Sequence, residues 1–454
     1  MSEGNMQNTQ LAKKQHGQAF KTWQEEYKSK LTTAQDAVKM INSGDVIAMQ
    51  GGTGIPPAIA DALGKRGPEL NGVKCLQGFA VAFHEYMKPD HRDSFRVETV
   101  FIGPAERFCM AMGTVDFVPN HLNNLGRWMD TKDINVVVAV VTPPDENGFM
   151  NRSCFGGLCP ERTIENADVV LVEVNKNTPW LCSDAFKVHV SQVDAIVENT
   201  APLFEIPEIQ ITPVEESIAH IIADMIPDGS CIQLGLGGLA NCVGHFLKDK
   251  KHLGAHTEVV SNSLMELIKC GAVDCSQKNI MKGKIPFTFC VGTKELWEFM
   301  DHNEMFFGYE IEKVNDPNFI SQNDNMVSVN NALMVDLTGQ IASESIGTTQ
   351  FSATGGQVNY VHGAQRSKNG KSILALPSTR VDKDGVMHSR IMPMLPEGTI
   401  VTTSRNDVQW IVTEYGSTCL NNMPVSYRAK ELIRISHPDF RDQMTFEAKK
   451  HKWI

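Results

Sequence analysis

Two features of this 454-residue chain are of a kind that does chemistry: a carboxylate in the run His256-Thr257-Glu258, and the glycine-rich segment Gly235-Leu236-Gly237-Gly238-Leu239-Ala240 that precedes it. Glycines so spaced after a strand make a tight turn and let phosphate approach the N–H groups of a helix N-terminus. The segment fits a general G-x-G-x-x-A pattern, and Glu258 follows at about the separation where dinucleotide enzymes hold a ribose, so the pattern alone suggests NAD. The same physics serves any nucleotide diphosphate, including that of coenzyme A, and a ligand-free βα turn would look no different. Glu258 stands among apolar residues of the next strand, where a carboxylate is costly to bury. Its plain alternative is an edge glutamate in a salt bridge. Glu266, off the Leu264, Leu267 and Ile268 face of the following helix, is expected in solvent. A third segment, Ser352 to Tyr360, carries Gly355-Gly356, whose consecutive N–H groups could receive an oxyanion or a pantetheine carbonyl, or simply form a turn before a strand.

Other chemistries lack their residues. Gly363 and Gly370-Lys371-Ser372 are six residues apart where a nucleotide-triphosphate loop needs four, there is no G-x-S-x-G elbow, and the 14 histidines include no H-E-x-x-H. No metal site is expected. The 11 cysteines, an odd number, include the C-x4-C pairs Cys154/Cys159 and Cys270/Cys275, too widely spaced for common zinc sites and read as ordinary thiols of a reducing compartment. A net charge of −11 without a basic block argues against a nucleic-acid partner. The longest apolar stretches, such as Ile134 to Val141, fall well short of the roughly 20 residues of a membrane span. With no signal-like N-terminus, the expectation is a cytoplasmic enzyme.

These groups need elements to hold them. Thr32 and Thr33 offer an N-cap to a helix carrying Ala37, Val38 and Ile41 and closed by Gly44; Val46 to Met49 reads as a strand, Gln50 to Pro57 as a glycine turn, and Ala58 to Gly64 as a helix. About 180 residues later the arrangement returns: a helix from Glu216 to Met225, a strand from Cys231 to Leu234, the loop Gly235 to Gly238, and a helix from Asn241 to Lys248. Gln50 and Gly51 have no counterparts in the second copy, so the repeat is one of architecture more than of letters. Asn135 to Val141, Asp168 to Val174, Asp194 to Val197, Ala332 to Leu337, Ser372 to Leu376 and Gln409 to Thr413 suit strands covered on both faces. Alternating strands and helices in two successive halves imply an α/β protein of two tandem open domains, with ligands beyond the carboxyl ends of the strands. Pro202, Pro207 and Pro213 interrupt periodicity and put the boundary near residues 205–215. The resulting parts are a polar segment 1–24, an N-terminal α/β domain 25–212 and a C-terminal α/β domain 213–454.

Several blocks stand in a telling order: G-G-T-G-I-P-P at 51–57, P-P-D-E-N-G-F at 143–149, V-D-A-I-V-E-N at 193–199, Q-L-G-L-G-G at 233–238, H-T-E at 256–258, N-D-N-M-V-S-V-N at 323–330, S-E-S-I-G at 343–347, T-G-G-Q-V at 354–358, A-L-P-S-T at 375–379, and T-S-R-N-D-V with V-T-E-Y-G at 403–416. From Leu31 to Phe440 the chain thereby resembles the acetyl-CoA hydrolase/transferase family, the class I CoA-transferases. That resemblance implies a NagB/RpiA/CoA-transferase-like fold. It implies transfer of coenzyme A between a short-chain acyl-CoA (acetyl, propionyl, butyryl or 4-hydroxybutyryl) and a carboxylate such as acetate, with ping-pong kinetics through a glutamyl-CoA thioester. A hydrolase using the same glutamate is the alternative; an NAD-dependent dehydrogenase and a noncatalytic CoA-binding protein are more remote ones. By the same resemblance Glu258 is the nucleophile and Gly235, Leu236, Gly237, Gly238 and Leu239 form a coenzyme A loop. Leu333 and Gly356 align with further contacts, and Gln233 and Gly355 are their neighbours. Glu344 and Glu414 lie in matched blocks and are the rival nucleophiles. Coenzyme A is implied as substrate, with no permanently bound cofactor and no metal, and the enzyme as a homodimer or larger. Ala240 stands where the family usually has Pro and Asn359 where it has Asp, which leaves loop rigidity and local charge open.

Overall fold

Val136 to Val141 is apolar at every position and buried throughout, the pattern of a strand covered on both faces. In the computed structural model, which describes residues 20–206 and 211–454, it lies within a seven-stranded sheet. Its strands are β1 (Val46–Met49), β2 (Val73–Gln77), β3 (Phe95–Thr99), β4 (Val115–Phe117), β5 (Val136–Val141), β6 (Val169–Val174) and β7 (Ala195–Glu198). They run in the order β4-β3-β2-β1-β5-β6-β7, all parallel. The first nineteen residues of the expected polar segment, and Pro207 in the expected boundary, lie outside the described residues.

A second sheet of six strands follows: β8 (Cys231–Leu234), β9 (Gly254–Ala255), β10 (Met326–Asn331), β11 (Lys371–Ala375), β12 (Trp410–Thr413) and β13 (Gly416–Cys419). Its order is β9-β8-β10-β11-β12-β13, parallel except for the last pair. The chain is thus α/β with two open sheets in succession, as its alternating pattern implies. Each sheet has a point where the winding reverses, between β1 and β5 in the first and between β8 and β10 in the second. Such reversals open a crevice at the carboxyl edge.

Four helices bear on the site: α1 (Pro57–Lys65), α2 (Pro213–Asp224), α3 (Gly238–Phe246) and α4 (Gln357–Arg366). Helix α1 starts on Pro57, whose fixed φ suits the first turn. Helix α2 starts on a capping box in which Thr212 Oγ1 accepts from Glu215 N at 3.2 Å and Glu215 Oε2 accepts from Thr212 N at 2.9 Å.

Three expectations are corrected. Ala332 to Leu337 is not a strand of the main sheet: Met334–Asp336 pairs with Ile341–Ala342 and Ile391–Met392 in a small separate sheet. The central strand is Met326–Asn331, whose Ser328 and two asparagines hide its burial from a hydropathy reading. The Ser352 to Tyr360 block leads into a helix instead of a strand, because Val358, Val361 and Ala364 recur at helical spacing and are all buried. Helix α3 begins at Gly238, three residues before Asn241, so the glycine loop runs straight into its first turn.

The two halves share a core. Phe155 stacks on Phe289 with ring centroids 5.3 Å apart, Phe186 meets Phe287 edge-on at 6.1 Å, and all four rings belong to one buried cluster. Arg162 ties the halves at the rim, donating to Asp130 Oδ1 at 2.9 Å and Glu312 Oε2 at 2.8 Å. All 11 cysteines are free thiols. Among the described residues no helix is long and apolar enough to cross a membrane.

Candidate active site

Glu258 sits where the chain leaves one sheet for another. His256 N still bonds Ile232 O on β8 at 3.1 Å, whereas Thr257 N turns to Pro286 O at 3.2 Å. The Glu258 carbonyl then accepts from both Thr288 N and Phe289 N at 3.0 Å, and Val259–Val260 pairs with Phe289–Cys290. Backbone bonds on both sides therefore fix where the side chain leaves the chain.

Its carboxylate points at the start of α4. A Cβ built on Gly356 would overlap Glu258 Oε2, so the residue there must be glycine for the carboxylate to reach the helix N-cap. Asn315 Nδ2 donates to Oε2 at 2.6 Å, and Asn315 is itself fully buried. Its Oδ1, the Tyr360 hydroxyl and His256 Nδ1 are buried without partners. Burial pushes the Glu258 carboxyl up to about 7, and the Asn315 amide opposes that rise. His256 contributes no positive charge: burial holds its imidazole down at about 3, and its Nε2 bonds Val314 O at 2.8 Å. The result is a half-desolvated acid, titrating near neutrality, that faces the helix entry at Gly355-Gly356.

The rival glutamates have other work. Glu414 Oε1 and Oε2 accept from Ser378 Oγ at 2.6 Å and Ser378 N at 2.9 Å. Glu344 is 5% exposed, with Oε1 accepting from Thr354 Oγ1 at 3.2 Å and its backbone carbonyl from Phe351 N at 2.7 Å. It shapes the segment that leads to Gly355. Glu266 is partly exposed, 3.5 Å from Lys248 in an ion pair.

Gly235 to Leu239 lies at the β8/β10 reversal, the crevice expected to take ligands. Gly237 holds φ at +115°, which a side chain would strain, and among the described residues no side chain caps the first N–H groups of α3. Asn331, at the end of β10, fixes the loop by donating to Leu236 O at 3.2 Å. Gln233 supports it from beneath: its amide and that of Asn330 exchange hydrogen bonds of 3.1 and 3.3 Å. Leu333 lies just past the same edge, partly exposed, its N–H on Ala342 O at 2.9 Å.

Of the residues expected at the site, Glu258 and Gly356 are in direct contact and Gly355 is next to them, while the glycine loop, Gln233 and Leu333 lie along the neighbouring strands β8 and β10 and just past their ends. Asn315 is a residue that sequence reasoning missed, one polar residue in an unremarkable stretch brought in by tertiary folding, whereas Tyr360 closes the Ser352 to Tyr360 segment and lies on the helix that Gly356 caps. Phe101 is a further missed residue: its ring comes within 3.3 Å of where a Gly355 Cβ would be, and it packs on Phe79 with centroids 5.6 Å apart. Phe79 in turn meets Phe155 and Phe289, so an aromatic cluster drawn from both halves reaches Gly355 through Phe101.

The shape and sequence have close counterparts. The chain matches the crystal structure of RipA from Yersinia pestis with a TM-score of 0.88 and 35% identity, over 95% of this chain and all of that one. It is 40% identical over 433 residues to the 4-hydroxybutyrate coenzyme A transferase of Clostridium kluyveri, covering 94% of this chain and 99% of the relative. It is 39% identical over 442 residues to the butyryl-CoA:acetate CoA-transferase of Anaerostipes caccae, covering 94% and 98%. Kinship this close and this complete places the chain in a class of enzymes, the CoA-transferases. Residues 10–206 match the acetyl-CoA hydrolase/transferase N-terminal domain and residues 292–448 the C-terminal domain, and the chain belongs to that family.

Proposed function

We propose that this enzyme moves coenzyme A between a short-chain acyl-CoA and a free carboxylate such as acetate, with Glu258 as the covalent carrier. The observation that carries the reading is the pairing of one desolvated carboxylate with the entry of α4, braced by Asn315. A glutamate oxygen attacks the thioester carbonyl carbon, the C–S bond breaks, and the CoA thiolate leaves with the electron pair. The mixed anhydride is then attacked by that thiolate on the glutamyl carbonyl, which frees the acyl group as a carboxylate and leaves a glutamyl-CoA thioester. An incoming carboxylate reverses the sequence. Tetrahedral oxyanions form on the way, and the N–H groups near Gly355-Gly356 and the Asn315 amide are the donors nearest to receive them. The glycine loop at Gly235 to Leu239 would hold the diphosphate of the carrier at the α3 N-terminus. One thioester is exchanged for another of similar energy, so coenzyme A enters as substrate and the cycle draws on no ATP. The two relatives are named for short acyl groups, which supports a short-chain acyl-CoA as substrate.

The test is intact-mass measurement after incubation with acyl-CoA alone, followed by addition of acetate. We expect a CoA adduct at Glu258 that acetate discharges, and for Glu258→Ala no adduct and a loss of transfer of about 10⁴-fold or more. Transfer proceeding at a normal rate without an adduct would overturn the reading. Thiol release equally fast without acetate would mark a hydrolase working through the same carboxylate.

A further inference from the structure

Arg390 carries a guanidinium that no side chain among the described residues contacts by hydrogen bond or ion pair. It follows the hairpin strand Met387–Ser389, and its backbone is tied on both sides, N–H to Ser378 O at 2.8 Å and carbonyl to Val335 N at 3.0 Å. Its Nε is shielded from solvent with no partner, and no hydrogen bond or ion pair among the described residues reaches its guanidinium. The charges it feels are Arg380, Glu414 and Glu215. Arg380 is of like sign, exposed, and equally without an ion pair among the described residues. Both acids keep their charge but accept their hydrogen bonds from elsewhere, Glu414 from Ser378, and Glu215 Oε2 from the N–H and hydroxyl of Thr212 at 2.9 and 2.8 Å, so neither contacts the guanidinium. A partly buried guanidinium left unpaired is costly, and two arginines of like charge side by side are more so, unless an anion completes the group.

The position says which anion. Ser378 and Arg380 follow β11 and Glu414 follows β12, on the same carboxyl edge where the glycine loop follows β8. Two strand spacings, about 10 Å, separate the β8 and β11 exits. We propose that Arg390, assisted by Arg380, anchors a phosphate group at the nucleotide end of coenzyme A, the glycine loop taking one phosphate-bearing part and the arginine pair another. The planar fork of arginine, with five donors, suits phosphate oxygens better than a single carboxylate already held by a serine. This rests on the acyl-CoA reading of the preceding section.

The experiment compares three donors of one acyl group: acyl-CoA, its 3′-dephospho form, and acyl-pantetheine, which lacks the nucleotide. For Arg390→Gln we expect kcat/KM with acyl-CoA to fall about 10- to 100-fold. With acyl-pantetheine it should stay within about twofold, since the lost contact is one that substrate never makes. Arg390→Lys should recover part of the loss. If the dephospho donor is already as poor for wild type as acyl-CoA is for the variant, the 3′-phosphate is the group held; if not, it is the diphosphate. An equal fall with all three donors would assign Arg390 a structural role and overturn the proposal, as would no fall at all. Should Arg390→Gln fail to fold, Arg380→Gln decides on the same pattern, a several-fold loss confined to phosphate-bearing donors. The glutamyl adduct is read by mass in the same samples. Its absence from wild type fails the parent reading, whereas its presence with undiminished donor discrimination in the variants fails this inference alone.

Discussion

At the scale of single residues, the proposed mechanism turns on the ionisation of Glu258. The attack proposed for it requires the carboxylate, and burial raises its pKa to about 7. The kcat/KM for acyl-CoA should therefore climb with pH through about 7 and level off above it. Asn315 bonds the ionised form, so Asn315→Ala should move that limb to higher pH as well as lower the plateau; a profile with no limb between pH 5 and 9 would remove Glu258 from the role. Stability runs the opposite way. A carboxyl with a raised pKa adds most to stability when protonated, below its ordinary value, and that contribution is lost as pH rises through about 7. Glu258→Gln should accordingly melt above wild type at pH 8, with the gap closing by pH 5. The letters H-T-E and their family resemblance singled out this carboxylate, and the structure buries it against Asn315 and the start of α4. Its brace was not legible, because Asn315 lies in V-N-D-P, a stretch with no chemical signature, and reaches the carboxylate only after the second half has folded.

At the scale of elements, the chain uses one strand–glycine loop–helix device twice and leaves only one copy open. In the first copy the α1 N-terminus is already capped by an anion of the protein: Glu173 Oε2 on β6 accepts from Ala58 N at 2.9 Å and Ile59 N at 3.2 Å, and Asn199 holds Oε1 at 2.7 Å. The crevice beside it is filled by the Phe155 ring against Gly52 and by Arg152, which takes part in a bond from Gln50 Nε2 to its carbonyl. In the second copy no side chain caps α3, and the loop is held open by Asn331. The repeat itself was readable from glycine spacing and strand hydropathy. Which copy has its helix N-terminus capped from within was not, since Glu173 is some hundred residues from the helix it caps, and a buried glutamate inside V-V-L-V-E-V carries no mark of its partner. Glu173→Ala should orphan two N–H groups and cost about 1 to 3 kcal/mol. The loss would be read as a lowered denaturant midpoint at unchanged slope, with KM for acyl-CoA unaltered. A raised KM would mean that the first copy also serves the carrier.

At the scale of the whole molecule, the site exists only because two halves close on each other. Glu258, Asn315 and Gly356 come from the second half, but Phe101, which packs against Gly355, and Phe79, which packs on Phe101, come from the first. Leu122 N bonds Gly355 O at 3.2 Å across the same seam, so the turn that faces the carboxylate is partly held by the opposite half. The seam is also a core: Phe155 and Phe289 stack inside a buried cluster that includes strands of both sheets. Two units joined by such a surface should unfold together, unlike domains that meet through a small polar interface. Phe155→Ala removes the ring that fills both the seam and the first crevice, and should cost about 3 to 5 kcal/mol. Because that energy couples the halves, its loss should do more than lower the melting temperature. Calorimetry of wild type should show one transition, and the variant should show two or one distinctly broadened, with transfer activity vanishing at the lower. If the variant melted in a single sharp step, merely earlier, the coupling would have to reside elsewhere, in the Arg162 bridge to Asp130 and Glu312.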